Sequence, residues 1–518
     1  MKLSPELWQA VQAAPDDDHP RLVLADWLEE QGEVERAAFI RVQVARAALP
    51  EHAPEDVTLG LSERVHWRPS WQQASWAEGM AWGAYHRGFV RQVRLAQAQQ
   101  WIDQGAACLD ATVVEGIVLP WSRMGDVGPL PSHPRLRELT VYGTIVDAAD
   151  VRWLATSPIL STVRRLNLLG SEIDVDGLAT LLESPHLAQL EALVLRNNAL
   201  SDAAVPLLGQ AKVNLRELDL TVLTQEELGS SGRYLPTLGP QGAAQLAEWS
   251  GLATVERLVL TGQQLGVEGF EALLASPHLG QLRHLSIRGC ADMDWETTDL
   301  RPDVVSAFAK ASPELRLTSF EMAELDLRPE GTADLVRALP GLQRLAMDRI
   351  LGPKDVFNQL AEAPFVEQLR CLDVSNINSN EDFWPILLKR TPPQLHTLIT
   401  TADFAWSRYV GLAEILAKSP VQPSTRRLVI QDAELTQEDV GVLGQLTTFP
   451  ALEALEVTGS PLSWHELDVD FTDFVLAPLP SCVTSLVVGE ESLNRLPPIS
   501  KPEITYGRVY AEQQTWAF

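Results

Sequence analysis

Cysteine is scarce in this chain, and what is missing narrows the field before any motif is read. The four cysteines (Cys108, Cys290, Cys371, Cys482) lie far apart without a CxxC pair. That spacing fits neither a disulfide framework nor a zinc site, and it agrees with a reducing cytoplasm. No stretch approaches the roughly 20 apolar residues needed to cross a bilayer. The opening MKLSPELWQAVQAAPDDDHP has no apolar run long enough for a signal peptide. Positive charge is also short: 41 Lys and Arg face 69 Asp and Glu, a net charge of −28. Attraction to phosphate backbones or anionic lipid is thereby disfavoured. The expectation is a soluble, acidic, cytoplasmic protein, monomeric, with no nucleic-acid or membrane partner.

Catalytic signatures are absent as well. The sequence holds no GxxxxGKS/T loop, no GxSxG elbow and no convincing GxGxxG. HELDVD at 465 fails the zinc-protease pattern because Val469 stands where the second histidine should be. Asp16, Asp17, Asp18 and His19 are adjacent on a short loop and cannot all converge on one ion; acids before a helix are its natural caps. Cys290 falls at a repeat turn and reads as a buried structural thiol. No enzyme, metal or cofactor is expected.

What is present is a recurrence. The pattern LxxLxL returns from residue 136 to 493, most clearly as Leu190, Leu193, Leu195, Asn198, Leu200 in LEALVLRNNAL. Its starts fall at 136, 163, 190, 215, 255, 282, 317, 342, 369, 395, 425, 452 and 483. FVRQVRLAQ at 89 and VVEGIVLPW at 113 are degenerate opening copies, giving about 13 to 15 repeats. Alternation places Leu193 and Leu195 inward from a short strand, with Val194 and Arg196 outward. DVDGLATLLES then carries apolar residues at helical spacing, ending at Ser-Pro, where a helix must stop. Each unit is therefore strand, turn, helix, turn.

These residues resemble the leucine-rich repeat family, and the 27-residue period resembles its ribonuclease-inhibitor-like subclass. The resemblance implies an α/β solenoid: a horseshoe with parallel strands on the concave side and helices on the convex side. An N-terminal helical cap, read from residues 4–43, precedes it. The turn position, usually Asn or Cys in that family, varies here as Thr144, Ser171, Asn198, Gln263 and Cys290, with Leu223 in one irregular copy. A weaker hydrogen-bond ladder is expected. Longer intervals hold TVLTQEELGSSGRYLPTLGPQG, CADMDWETTDLRP and SPLSWHELDVDFTDF, which read as edge-loop insertions.

Residues 4–43 break the period and predict three helices: SPELWQAVQAA capped by Ser4, a second capped by Asp18 or His19 and closed by Gly32, and EVERAAFIRVQVARAAL. PDDDHPRLVLADWLEEQGEVERAAFIRVQ closely resembles the repeat-companion domain of planctomycete and myxobacterial paralogous families, which typically precedes leucine-rich or other repeats. Trp67, Trp71, Trp76 and Trp82 follow, and they read as a plug over the first open layer. The expected division is a helical domain over 1–50, a Trp-rich linker or cap over 51–88, the solenoid over 89–493 and a C-terminal cap over 494–518.

Outward strand positions define the candidate protein-binding surface: Tyr142, Arg165, Asn167, Arg196, Asp219, Arg257, His284, Arg288, Arg344 and Asp348. Across all outward strand positions six Arg face seven acids, so nearly all of the net −28 lies elsewhere. A mixed face with recurrent arginine favours a protein ligand. The functional expectation is a non-enzymatic scaffold or adaptor binding through the concave face and edge loops. The alternative is a regulator of an enzyme, either an inhibitor or a GTPase activator.

Overall fold

The computed structural model describes residues 4–67, 80–121, 127–143, 148–211, 213–222, 235–288, 304–323, 325–375, 386, 392–401, 416, 419–431, 447–457 and 485–488. The chain divides into two compact units. The first comprises Met1–Ala48, His66–Thr297 and Lys310–Arg316; the second comprises Leu49–Val65, Thr298–Ala309 and Leu317–Phe518.

The first unit opens with α1 (Pro5–Ala13), α2 (His19–Glu30) and α3 (Val34–Ala47). Leu24, Ala25, Leu28, Ala37 and Ile40 are fully buried between them, with Leu7, Trp8 and Trp27 at the margin. Ser4 caps α1 through its side chain and Pro5 occupies the first turn. The cap of α2 departs from expectation. Asp18 makes no capping bond there, and Asp17 Oδ1 instead accepts the His19 N–H at 2.9 Å. Gly32 closes α2 at φ +86°, a conformation glycine adopts without penalty. The following helix, α4 (Glu55–His66), lies within the second unit up to Val65.

Strands β1 (Met80–Trp82), β2 (Tyr85–His86) and β3 (Phe89–Val90) lead into the repeats. The degenerate opening copies form β4 (Gln92–Leu95) and β5 (Gly116–Pro120), with α5 (Ala98–Ala111) between them. Every clear repeat start is then followed two residues later by a strand. In the first unit these are β6 (Glu138–Tyr142), β7 (Arg165–Asn167), β8 (Ala192–Val194), β9 (Glu217–Asp219), β10 (Arg257–Val259) and β11 (His284–Arg288). In the second they are β12 (Ser319–Ala323), β13 (Arg344–Asp348), β14 (Cys371–Ser375), β15 (Thr397–Thr401), β16 (Arg427–Gln431), β17 (Ala454–Val457) and β18 (Ser485–Val488). Within each unit, strands from β4 onward lie in sequence order and pair in parallel. The exception is β1, which pairs antiparallel with β4, Trp82 opposite Val93, and covers the free side of the first repeat strand.

The leucines explain the register. Leu139, Leu166, Leu193, Leu218, Leu258 and Leu285 are aligned strand to strand and buried, one per layer. In the second unit Phe320, Leu345, Leu372, Leu398, Leu428 and Leu455 do the same. Between strands run α6 (Ala148–Thr156), α7 (Val175–Leu182), α8 (Val205–Gln210), α9 (Pro240–Glu248) and α10 (Gly266–Leu274), then α11 (Pro329–Ala338) and α12 (Lys354–Ala361). Asp174 caps α7 by accepting the Gly177 N–H at 2.8 Å.

The Ser-Pro helix stops have a second role. Ser276 Oγ donates to the carbonyl of Ala247 in the preceding repeat at 2.6 Å, and Ser184 bonds Ala155 one repeat earlier in the same way. Each serine satisfies a carbonyl that the end of a helix leaves open.

At one substituted turn position the ladder is kept. Asn198 accepts the Ile173 N–H at 2.8 Å and donates to Leu168 O at 2.8 Å and Arg196 O at 3.2 Å. Gln263, one methylene longer, reproduces the arrangement: its Oε1 accepts the Leu238 N–H at 2.6 Å and its amide donates to Leu220 O. Ser171 accepts the Trp121 indole N–H at 2.6 Å. The expected weakening therefore does not apply at Gln263, whereas Ser171 meets an indole N–H rather than the backbone groups that Asn198 bonds. Thr144, Cys290 and Leu223 lie outside the described residues, as do Trp71, Trp76, HELDVD and the cores of the three insertions.

Candidate functional site

Neighbouring strands stand about 4.8 Å apart, so their outward side chains line up in rows. The first row in the first unit runs Gln92, Gly116, Glu138, Arg165, Ala192, Glu217, Arg257, His284. Arg165 reaches over Ala192 to grip Glu217 in a two-pronged pair, one contact at 3.0 Å. Arg257 approaches the same carboxylate from the other side at 3.9 Å. Ala192 is small enough to lie beneath the bridge. The same device recurs over Gly116, where Gln92 Nε2 meets Glu138 Oε2 at 2.9 Å. A Cβ on Gly116 would stand 2.9 Å from Gln92 Cγ and 3.1 Å from Glu138 Cβ. Burial disfavours the charge of Arg165, but Glu217 and Glu138 outweigh it and hold the guanidinium above its ordinary range.

The second row runs Thr140, Asn167, Val194, Asp219, Val259, Ser286. It is packed shut. Asp219 is buried, accepting Arg196 Nε at 2.7 Å, Thr221 Oγ1 at 2.6 Å and the Thr221 N–H at 3.0 Å. Asn167 is only 4% exposed, and its Oδ1 makes no hydrogen bond among the described residues.

The ten sequence-predicted residues thus separate. Arg165 and Arg257 keep side chains 39% and 38% exposed on the first row. Tyr142 and Arg196 are partly exposed on the third outward position. Asn167, Asp219, His284 and Asp348, expected to face solvent, are buried. Side chains one strand spacing apart cover one another, so an outward position need not be an accessible one. Arg344 belongs to the second unit, where it pairs with Glu321 and only 19% of its side chain is exposed. Arg288 ends β11.

Sequence reasoning missed a column. The residue after each repeat start, just ahead of the strand, forms a continuous edge: Glu115, Arg137, Arg164, Glu191, Arg216, Glu256, Arg283. Each donates its N–H to the carbonyl of the preceding member, at 2.6–2.8 Å from Glu115–Arg137 through Glu256–Arg283. The side chains pair along it, Arg164 with Glu191 at 3.0 Å and Arg216 with Glu256 at 3.2 Å. Arg137 is taken by both oxygens of Asp16 at 2.7 Å each. The acidic loop before α2 is therefore distributed: Asp16 to Arg137, Asp17 to a helix N-terminus, Asp18 toward Arg87 at 3.5 Å. The column was legible, since every member is charged.

In the second unit the first row runs Ser319, Arg344, Cys371, Thr397, Arg427, Ala454, Ser485. Arg427 forms a fork with Glu456, both contacts 3.0 Å. Cys371 is buried between the arginines; burial raises its thiol pKa, while Arg344 and Arg427 oppose the rise. Among the described residues no cluster of three or more metal-ligating side chains occurs, and no helix is long and apolar enough to cross a membrane.

No protein-family model matches the chain. No curated protein matches it either. Several solved structures are similar. A TLR13–ssRNA13 complex shares 16% identity with a TM-score of 0.36, over 77% of this chain and 48% of that one. The yeast Rad7–Elc1 complex shares 12% with a TM-score of 0.39, over 89% and 95%. An internalin, InlF of Listeria monocytogenes, shares 15% with a TM-score of 0.30, over 75% and 93%. The chain thus spans about half the length of the first of these. Likenesses this distant carry no argument about partner or activity. The aligned leucines, in-order parallel strands and Asn198-type turns are features of the chain itself, and they make its fold a leucine-rich-repeat solenoid.

Proposed function

We propose that this chain is a non-enzymatic interaction scaffold that binds a protein partner through the outward strand face of its first unit. The observation that carries the reading is the first row around Glu217. Two half-exposed arginines flank one carboxylate on a rigid parallel sheet, with charges of both signs on the adjoining edge column. Such a face offers planar, bidentate donors without a net positive field, which suits carboxylate-bearing protein surfaces better than nucleic acid. The ribonuclease-inhibitor-like subclass and a repeat-companion domain over residues 1–50 are part of the same proposal. In it, the N-terminal helices seal the first strand rather than supply chemistry, and the protein works as a monomer in the cytoplasm. The edge-loop insertions are candidate secondary contacts.

The test is capture of partners from the native cell by wild type and by a variant carrying Arg165→Glu and Arg257→Glu. A partner held by wild type and lost from the variant supports the reading. Identical partner sets for both proteins reject the first-row surface as the site.

A further inference from the structure

Residues 51–58 enter α4 from the N-terminal side and lie within the second unit. They are held at the strand edge of β15–β17, on the column that carries paired charges in the first unit. His396 Nε2 donates to the carbonyl of His52 at 2.9 Å, leaving Nδ1 to accept from Thr397 Oγ1 at 3.0 Å. Thr58 Oγ1 donates to Glu453 Oε2 at 2.8 Å. Asp56 sits within electrostatic reach of Arg427 and His396. Ala53 and Val57 are buried while Glu51, Glu55 and Thr58 stay exposed, so one face of this short stretch is docked.

The docking is shallow. Two small apolar side chains supply its buried hydrophobic surface, and the Thr58–Glu453 bond is solvent-exposed. His52 holds φ at +58°, a left-handed conformation that is strained for a non-glycine residue. As a tethered segment it competes for this edge at an effective concentration of order millimolar. By contrast the α1–α3 helices bury a full apolar cluster.

We propose that residues 51–58 are a resident occupant of the strand edge of the second unit. An external protein segment of the same chemistry, small apolar residues around a carboxylate, binds there by displacing them. The inference rests on the reading of the repeats as protein-binding and adds a second, internally occupied site on the second unit. Partners that engage the second unit compete with a built-in segment, so their apparent affinity falls by the fraction of molecules in which the edge is open.

The experiment uses the full chain and a labelled synthetic peptide of residues 49–66. Two proteins are compared: wild type and a variant with residues 51–58 replaced by Gly and Ser. The peptide is expected to bind the replaced variant at least about 10-fold more tightly than wild type. A peptide carrying Asp56→Arg and Val57→Asp is expected to lose that binding. Equal binding to both proteins, or binding of the doubly substituted peptide, overturns the proposal. Should the replaced variant fail to fold, full-length Asp56→Arg decides. Faster amide exchange confined to residues 51–58, with a gain in peptide binding, supports the resident occupant, and unchanged exchange overturns it. The assay needs no cellular partner, so it can fail while the first-row surface stands, and the reverse.

Discussion

Gln43 Oε1 accepts the backbone N–H of Gly88 at 2.6 Å, joining α3 to the turn that delivers the chain into its first repeat strand. Arg36 takes the carbonyl of the same glycine from the other side. Gly88 has φ +88°, and a Cβ there would lie 2.5 Å from Ile40 Cγ1. Phe39, Tyr85 and Phe89 surround the Arg36 guanidinium, with ring centroids 5.4, 5.8 and 5.4 Å away. Burial pushes Arg36 down to about 10, still charged at neutral pH. Gln43, Arg36 and Ile40 of α3 thus converge on one glycine.

Gly88→Ala is therefore expected to destabilise the first unit by roughly 2–4 kcal/mol, combining a strained φ with overlap against Ile40. Gln43→Leu should cost roughly 1–3 kcal/mol by leaving a buried N–H unmet. Urea unfolding followed by tryptophan fluorescence measures both. Midpoints equal to wild type would mean that the helices do not hold this turn.

Asn198→Ala removes one acceptor and two donor contacts from the turn ladder and is expected to cost roughly 2–3 kcal/mol. Gln263→Ala should cost a similar amount, and more than Gln263→Asn if the shorter amide keeps one of the two bonds. Thermal unfolding of the three variants ranks them. A silent Gln263→Ala would restore the weaker ladder that turn composition alone predicts.

Arg165 is partly exposed above a mostly buried Glu217, and their coupling in a double-mutant cycle is expected on the order of 1 kcal/mol. Ala192→Leu, placed beneath the bridge, should separate the pair while leaving the buried leucine column intact. Loss of partner capture with little change in melting temperature is the expected result. Capture equal to wild type would show that this bridge is not part of the recognised surface.

Burial, and after it Arg91, Arg87 and Arg21, push the His86 imidazole down to about 4. The folded value lies below the unfolded one of about 6.5, so the unfolded chain binds the extra proton between them. Stability is then full above pH 6.5 and declines as the pH falls toward 4. The loss is on the order of 2 kcal/mol, allowing for partial solvent access. His86→Gln should flatten this part of the profile. Parallel urea midpoints for both proteins from pH 7.5 to 4.5 would remove His86 as the cause.

Strand positions were readable because the period-2 alternation and the leucine column are local and repeated: a strand begins two residues after each repeat start. The helices of residues 4–47 were readable from Pro5, Gly32 and their apolar spacing. Side-chain access was not. Val194 and Asp219 sit at outward positions and are buried, because access depends on what the next strand places beside them. The partner of Asp16 lies 121 residues away at Arg137, a distance no window reveals.

By itself the amino-acid sequence determined the repeat, the strand register and the mixed charge of the outward rows, since each follows from spacing within one unit. Tertiary structure alone decided which arginines stay accessible, that Ala192 and Gly116 lie under bridging pairs, and that residues 51–58 occupy an edge of the second unit. Those outcomes depend on side chains from different repeats meeting at strand spacing, and on a segment returning to repeats more than 300 residues further along the chain. Periodicity specifies the layer; only stacking specifies its neighbours.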